Sequence, residues 1–240
     1  AVFCQKPLGR TGAETERVVR AARDADRLLA VDLSYRHTEA FSQLRRLTSA
    51  RELGEIFVAE LEFHNAYGPD KSWFYDPALS GGGCMIDLGI HLVDAALWLL
   101  DFPSVTAVSS RLFGGGAPLV RGDGQIEDYA HAELVLATGT VVRIACSWRL
   151  QAGRDAVISA RLFGTKGGAG IRNLEGSFYD FVAERFCGTE TQRLSGPPDA
   201  WGGRAACSFV ERLARSPSFD PEATRFIETA QVLDRIYGRA

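Results

Sequence analysis

No cysteine in the chain stands within a few residues of another. Cys4, Cys84, Cys146, Cys187 and Cys207 are odd in number and widely scattered. A disulfide framework or a structural zinc site needs clustered pairs, so neither is expected. Unpaired thiols suit a reducing compartment, and a cytoplasmic protein is the expectation. Long apolar runs are also missing: the longest, 92–100, contains Asp94 and falls short of the roughly 18 to 20 residues that cross a bilayer. The first residues do not read as a charged start followed by an apolar signal region, so no secretion signal is expected. Positive charge is thin, with a formal net charge of −3 over 240 residues and no basic run interleaved with aromatics. A nucleic acid or an anionic membrane would find no electrostatic footprint. Lysine is scarce, being confined to Lys6, Lys71 and Lys166. Glycine is plentiful, yet no cluster spells Gly-x-Gly-x-x-Gly or ends in Gly-Lys-Ser/Thr. "GTKGGAG" is followed by "IRN" rather than by a helix, and it reads as a turn between strands.

What remains is the profile of a globular protein, 46% hydrophobic and 24% charged. "AVFCQKPLG" reads as the end of a strand running into a loop at Lys6 and Pro7. Residues 11–26 carry helical spacing through Val18, Val19 and Ala22, and "RLLAVDLSY" follows as a buried strand. This order fits the last unit of a doubly wound parallel sheet, so residues 1–35 are expected to be the remnant of a Rossmann-type dinucleotide-binding domain. Residues 38–50 form the next helix. Alternation then marks a strand over 55–66, and further strands are expected over 105–113, 129–136, 140–150 and 156–163. Amphipathic helices over 201–215 and 222–237 close the chain. Residues 36–240 should therefore form an α+β domain, an open and mainly antiparallel sheet with helices on one face.

One stretch resists a purely structural explanation. "GGGCMIDLGIHLVDAALWLL", 81–100, sets Asp87, His91 and Asp94 at helical spacing inside an apolar segment. At i, i+4 and i+7 the three groups are expected to share a face, and acids on both sides of an imidazole would raise its basicity. Asp87, His91 and Cys84 alone are too few for a metal site, so no metal is expected.

"SWFYDPALSGGGCMIDLGIHLVDAALWLL" resembles the Asp-x-Gly-x-His signature of the glucose-fructose oxidoreductase and inositol dehydrogenase family, Gfo/Idh/MocA. "CQKPLG" is similar to the family's Glu-Lys-Pro-Leu turn, and "AVDLSYRHTEAFSQLRRLTSARELGEI" to its crossover strand. "IEDYAHAELVLATGTVVRIACSW" and "RLFGTKGG" resemble its later sheet strands. Gln5 stands where the family has Glu, Ser34 where it often has Asn, and the glycine fingerprint that would precede these motifs is not present. The resemblance implies an NAD(P)-dependent oxidoreductase acting on a sugar, polyol or related hydroxyl compound. Its catalytic residues would be Lys6, Asp87 and His91. Tyr35, Arg36, Trp73 and Asp128 would contact substrate, and Lys6 and Pro7 would border the cofactor, NAD or NADP. Without the fingerprint, this chain alone is expected not to hold that cofactor. The uncovered sheet face implies a homo-oligomer. Two other readings compete, a cofactor-free substrate-binding or oligomerisation module and an NAD-dependent glycosidase of the same family.

Overall fold

The computed structural model describes residues 1–120 and 124–239. Strand β1 (Val2–Gln5) leads through helix α1 (Gly12–Asp24) to strand β2 (Leu29–Asp32), and the two strands pair in parallel. Thr11 caps α1 by accepting a hydrogen bond from the Glu14 amide at 3.2 Å. A 3₁₀ turn, Ser34–His37, then delivers the chain to helix α2 (Glu39–Ser49). Ala40, Phe41, Leu44 and Leu47 are buried along one stripe of α2, as helical periodicity requires.

The large sheet begins at β3 (Ile56–Asn65) and continues through β4 (Val105–Gly114), β5 (Ala117–Pro118), β6 (Tyr129–Leu136), β7 (Val141–Ser147) and β8 (Ala156–Gly164). It is completed by β9 (Gly167–Asn173), β10 (Phe181–Cys187) and β11 (Glu190–Ser195). Strand order is β11-β10-β9-β8-β3-β7-β6-β4-β5. Among the described residues of this sheet only the β3·β7 pair is parallel, so the sheet is mainly antiparallel. Between β3 and β4 lie a short helix α3 (Pro77–Ser80), a single π-turn (Met85–Gly89) and helix α4 (Ile90–Leu99). Helices α5 (Arg204–Arg215) and α6 (Arg225–Tyr237) close the fold.

Alternation along β3, β6 and β7 sends Ala59, Leu61, Phe63, Ala130, Ala132, Leu134, Val142 and Ile144 into the core. Helices α2, α4 and α6 cover that face. The opposite face has no helix over it among the described residues and carries Glu60, Glu133, Arg143 and Arg161, paired as Glu60–Arg161 at 3.0 Å and Arg143 to Glu60 and Glu133 at 3.6 Å.

The strands β9 to β11 lie beyond the last strand expected from the sequence, and the "GTKGGAG" stretch is a turn only at Thr165 and Lys166. β9 starts at Gly167 because its glycines serve packing. A Cβ on Gly168 or Gly170 would lie 3.2 or 3.3 Å from the Phe186 ring, so these glycines make room for an aromatic of β10. The helical run Pro77–Leu99 spans 23 residues and is apolar enough to cross a bilayer, longer than the run visible in the sequence. Most of that run is buried within the protein, with Leu92, Val93, Ala96, Leu97 and Leu99 packed between the sheet, α2 and α6. It is a core helix with little amphipathic bias.

Candidate functional site

Two glycines let the site be built. Gly82 and Gly83 precede the π-turn, and a Cβ on Gly83 would lie 1.9 Å from the Glu127 carbonyl oxygen. Only glycine permits that backbone approach. The first amides of the segment then point at one buried carboxylate. Glu127 accepts from Gly83 N at 3.0 Å, Met85 N at 2.9 Å and the Tyr237 hydroxyl at 2.6 Å, while Tyr237 Oη accepts from Ile86 N at 3.0 Å. These are the orphan donors of a helix start, satisfied from the segment leading into β6 and from α6 rather than by a local cap. Burial raises the Glu127 carboxyl above its usual range, and its hydrogen bonds lower it in part.

The π-turn so anchored presents Asp87. Its Oδ1 accepts from Lys6 Nζ at 2.7 Å, its backbone carbonyl accepts from the same ammonium at 2.5 Å, and its Oδ2 accepts from the Trp148 indole at 3.0 Å. Lys6 thus arrives from the end of β1 and Trp148 from the end of β7. One carboxylate joins three distant parts of the chain.

His91 sits in the first turn of α4, half-buried, with the Tyr35 ring edge-on at 4.9 Å and the Phe63 ring at 6.4 Å. Neither ring nitrogen has a hydrogen-bond partner among the described residues. Desolvation, with the nearby Lys6 ammonium adding to it, pushes the imidazole well below its ordinary pKa. This corrects the expectation of raised basicity. The acids at i−4 and i+3 are both engaged elsewhere, Asp87 with Lys6 and Trp148, Asp94 with Arg36.

Asp94 accordingly does not share a spot with Asp87 and His91. It is buried and takes a two-pronged contact from Arg36, with Nε to Oδ2 at 2.6 Å. The Arg36 guanidinium also lies over the Trp98 and Phe102 rings at 5.6 and 5.5 Å. Its charged end is therefore occupied in the fold. Asp128 is likewise turned away, its Oδ2 accepting from Gly115 N at 3.0 Å in the β4–β5 hairpin. Tyr35 is at the cluster, its ring 4.9 Å from that of His91, and burial first, then the neighbouring Tyr179 and Asp87, raise its phenol. Trp73, 43% exposed, stacks on Phe74 at 3.8 Å, and Phe74 stands edge-on to Trp148 at 6.2 Å. Pro7 lines an apolar hollow with Ile86, Ile90 and Leu233, against α6. That hollow meets the π-turn and α4 through Ile86 and Ile90 rather than through Asp87 and His91.

Trp148, Glu127 and Tyr237 are the residues that sequence reasoning passed over. Glu127 stands beside Asp128 in "IEDYAHAELV", and no local pattern tells which acid turns inward.

The family model of the GFO/IDH/MocA C-terminal domain matches residues 41–169. Among curated relatives, D-glucoside 3-dehydrogenase of Escherichia coli (strain K12) is 28% identical over 178 residues, 70% of this chain and 51% of that protein. The chain spans about half the length of the first curated relatives it matches, 51% and 47%. Among solved structures, aldose-aldose oxidoreductase from Caulobacter crescentus complexed with glycerol aligns with a TM-score of 0.82 and 21% identity, over 98% of this chain and 68% of that one. Levoglucosan dehydrogenase in complex with NADH and levoglucosan aligns with a TM-score of 0.78 and 22% identity, over 98% and 70%. At such identities the structural likeness establishes the fold.

Proposed function

The chain belongs to the GFO/IDH/MocA family through its C-terminal domain, and from that premise we propose that it is the catalytic and substrate-holding part of an NAD(P)-dependent oxidoreductase acting on a sugar, polyol or related hydroxyl compound. One observation carries the reading. A lysine ammonium is fixed on Asp87, four residues before a histidine whose ring nitrogens have no partner among the described residues.

Oxidation of a carbinol is eased as its hydroxyl proton leaves, so a base must lie within hydrogen-bond reach. His91, kept neutral by its surroundings, is that base. Lys6 stabilises the developing alkoxide by charge, and Asp87 holds Lys6 in place. Trp148 fixes the far oxygen of Asp87, which keeps the carboxylate from swinging. Tyr35 and Trp73 contact the substrate. The related D-glucoside 3-dehydrogenase and levoglucosan dehydrogenase favour a sugar.

NAD or NADP is the oxidant the family implies, and Lys6 and Pro7 are proposed to border its nicotinamide. Its pyrophosphate does not fit the start of α1, where Asp234 Oδ2 already accepts from Gly12 N at 2.7 Å and Thr11 caps the next turn. The parallel β1·β2 pair supports assigning residues 1–35 to a dinucleotide-binding domain and 36–240 to the substrate domain. We place the protein in the cytoplasm, in keeping with its five unpaired cysteines. The helix-free sheet face is assigned to a second copy of the chain.

In the full protein, His91→Ala and Lys6→Ala are each expected to lower kcat by roughly 10²- to 10⁴-fold. A steady-state rate unchanged by His91→Ala would remove the histidine from the chemistry.

A further inference from the structure

Two lines of aromatic side chains run outward from the cluster. From Asp87 the first passes through Trp148 to Tyr75, whose ring lies 5.6 Å away, and through Phe74 to Trp73. From His91 the second passes through Tyr35 to Trp201 at 5.5 Å and on to Tyr179 at 6.1 Å. Tyr67 and Phe178 meet at 6.2 Å and join the two loops that carry these lines. The outer members are open to solvent: Trp73 is 43% exposed, Tyr67 53% and Tyr179 70%. Four large rings at one rim, counting Tyr75, are more than scattered surface apolar residues require. Tryptophan and tyrosine give broad, rigid contact area with few rotatable bonds, which suits a flat ligand ring rather than a flexible chain.

Resting on the oxidoreductase reading above, we infer that this rim is a second-ring subsite, and that the substrate is an uncharged glycoside whose reacting sugar sits at Lys6, Asp87 and His91 while its further ring stacks on Trp73 and Tyr179. A pyranose presents apolar C–H faces that an aromatic plane can cover, while its equatorial hydroxyls stay in water. Arg149 lies over the Tyr75 ring at 5.3 Å and donates to its hydroxyl at 3.2 Å, which fixes that ring in place.

Isothermal titration of the chain with methyl β-D-glucoside, cellobiose and UDP-glucose tests the assignment. Cellobiose should bind about fivefold or more tightly than methyl glucoside, a gain in the range of one ring-stacking contact. Tyr179→Ala should remove most of that gain and leave methyl glucoside affinity within about twofold. The position is exposed, and a circular dichroism spectrum matching the wild type would establish that the variant folds. Methyl glucoside bound without any cellobiose advantage would overturn the subsite and leave the oxidoreductase reading standing. UDP-glucose binding far more tightly than cellobiose would replace the glycoside with a nucleotide sugar. No binding of any of the three would overturn the sugar reading itself, and the subsite with it.

Discussion

A histidine beside an ammonium group and walled by aromatic rings keeps its proton less readily than free imidazole, which loses it near pH 6.5. For His91 both influences point downward, burial first and Lys6 second. The ring is therefore neutral at pH 7, the form a general base needs. Proton NMR of the His91 ring should give a titration midpoint below 6.5, and a midpoint above that value would contradict the arrangement of Lys6 and Asp87. The sign carries into stability. A base whose pKa is depressed by folding contributes stability above its unfolded pKa and loses it as pH falls through the window below about 6.5, because the unfolded chain takes up the proton first. His37 and His64 are lowered too, chiefly by burial, and act in the same direction. Urea midpoints measured at pH 7.5 and 5.5 should drop for the wild type, and drop less for His91→Gln. His91 was legible in the sequence because a polar residue inside an apolar helix stands out. Its low pKa was not, since that depends first on the burial the fold imposes and then on where Lys6, 85 positions earlier, ends up.

The π-turn at Met85–Gly89 is the element on which the site turns. A sequence offers no sign of one widened turn within a helix, and π-turns are short insertions frequently found at functional sites. Read as uninterrupted α-helix, 81–100 placed Asp94 with Asp87. In the fold Asp94 belongs to Arg36 instead. What holds the widened start is Glu127, with two amides and the Tyr237 hydroxyl directed at its carboxylate. Glu127→Ala would leave these donors buried without an acceptor, at about 1–3 kcal/mol each. A loss of about 3 kcal/mol or more in chemical denaturation is expected, and a loss under about 1 kcal/mol would show that the amides find water instead. Gly83→Ala should be at least as damaging, because the new Cβ would meet backbone rather than a yielding side-chain tip. The strands 55–66, 129–136 and 156–163 were legible to within a residue or two from their alternation, as was α2 from its apolar stripe, whereas α6 begins at Arg225, three residues past the expected 222, after a 3₁₀ turn over Pro221–Thr224. β9 escaped notice because its glycines gain their purpose only from Phe186 on the next strand.

At the scale of the whole molecule, pairing decides what sequence order cannot. Consecutive strands suggested a simple antiparallel run, yet β3 lies in the middle of the sheet, parallel to β7 and antiparallel to β8. That placement brings the end of β7, and with it Trp148, next to the segment bearing Asp87. It also leaves one sheet face without a helical layer among the described residues. The face is not uniformly polar: Phe163 and Phe186 lie toward one end, half-buried, with Glu60, Arg143 and Arg161 ahead of them. A mixed face of this kind, with charges already paired in its own plane, can meet a second copy without burying an unpaired ion. Light scattering at micromolar concentration should therefore give a dimer or a larger assembly. Arg161→Glu tests the route, because it removes the 3.0 Å contact with Glu60 and leaves like charges facing each other across two copies related by a twofold axis. The variant should shift toward monomer while its far-ultraviolet circular dichroism stays that of the wild type. Assembly unaffected by Arg161→Glu would move the interface to another surface, and a wild-type monomer would leave this face to solvent.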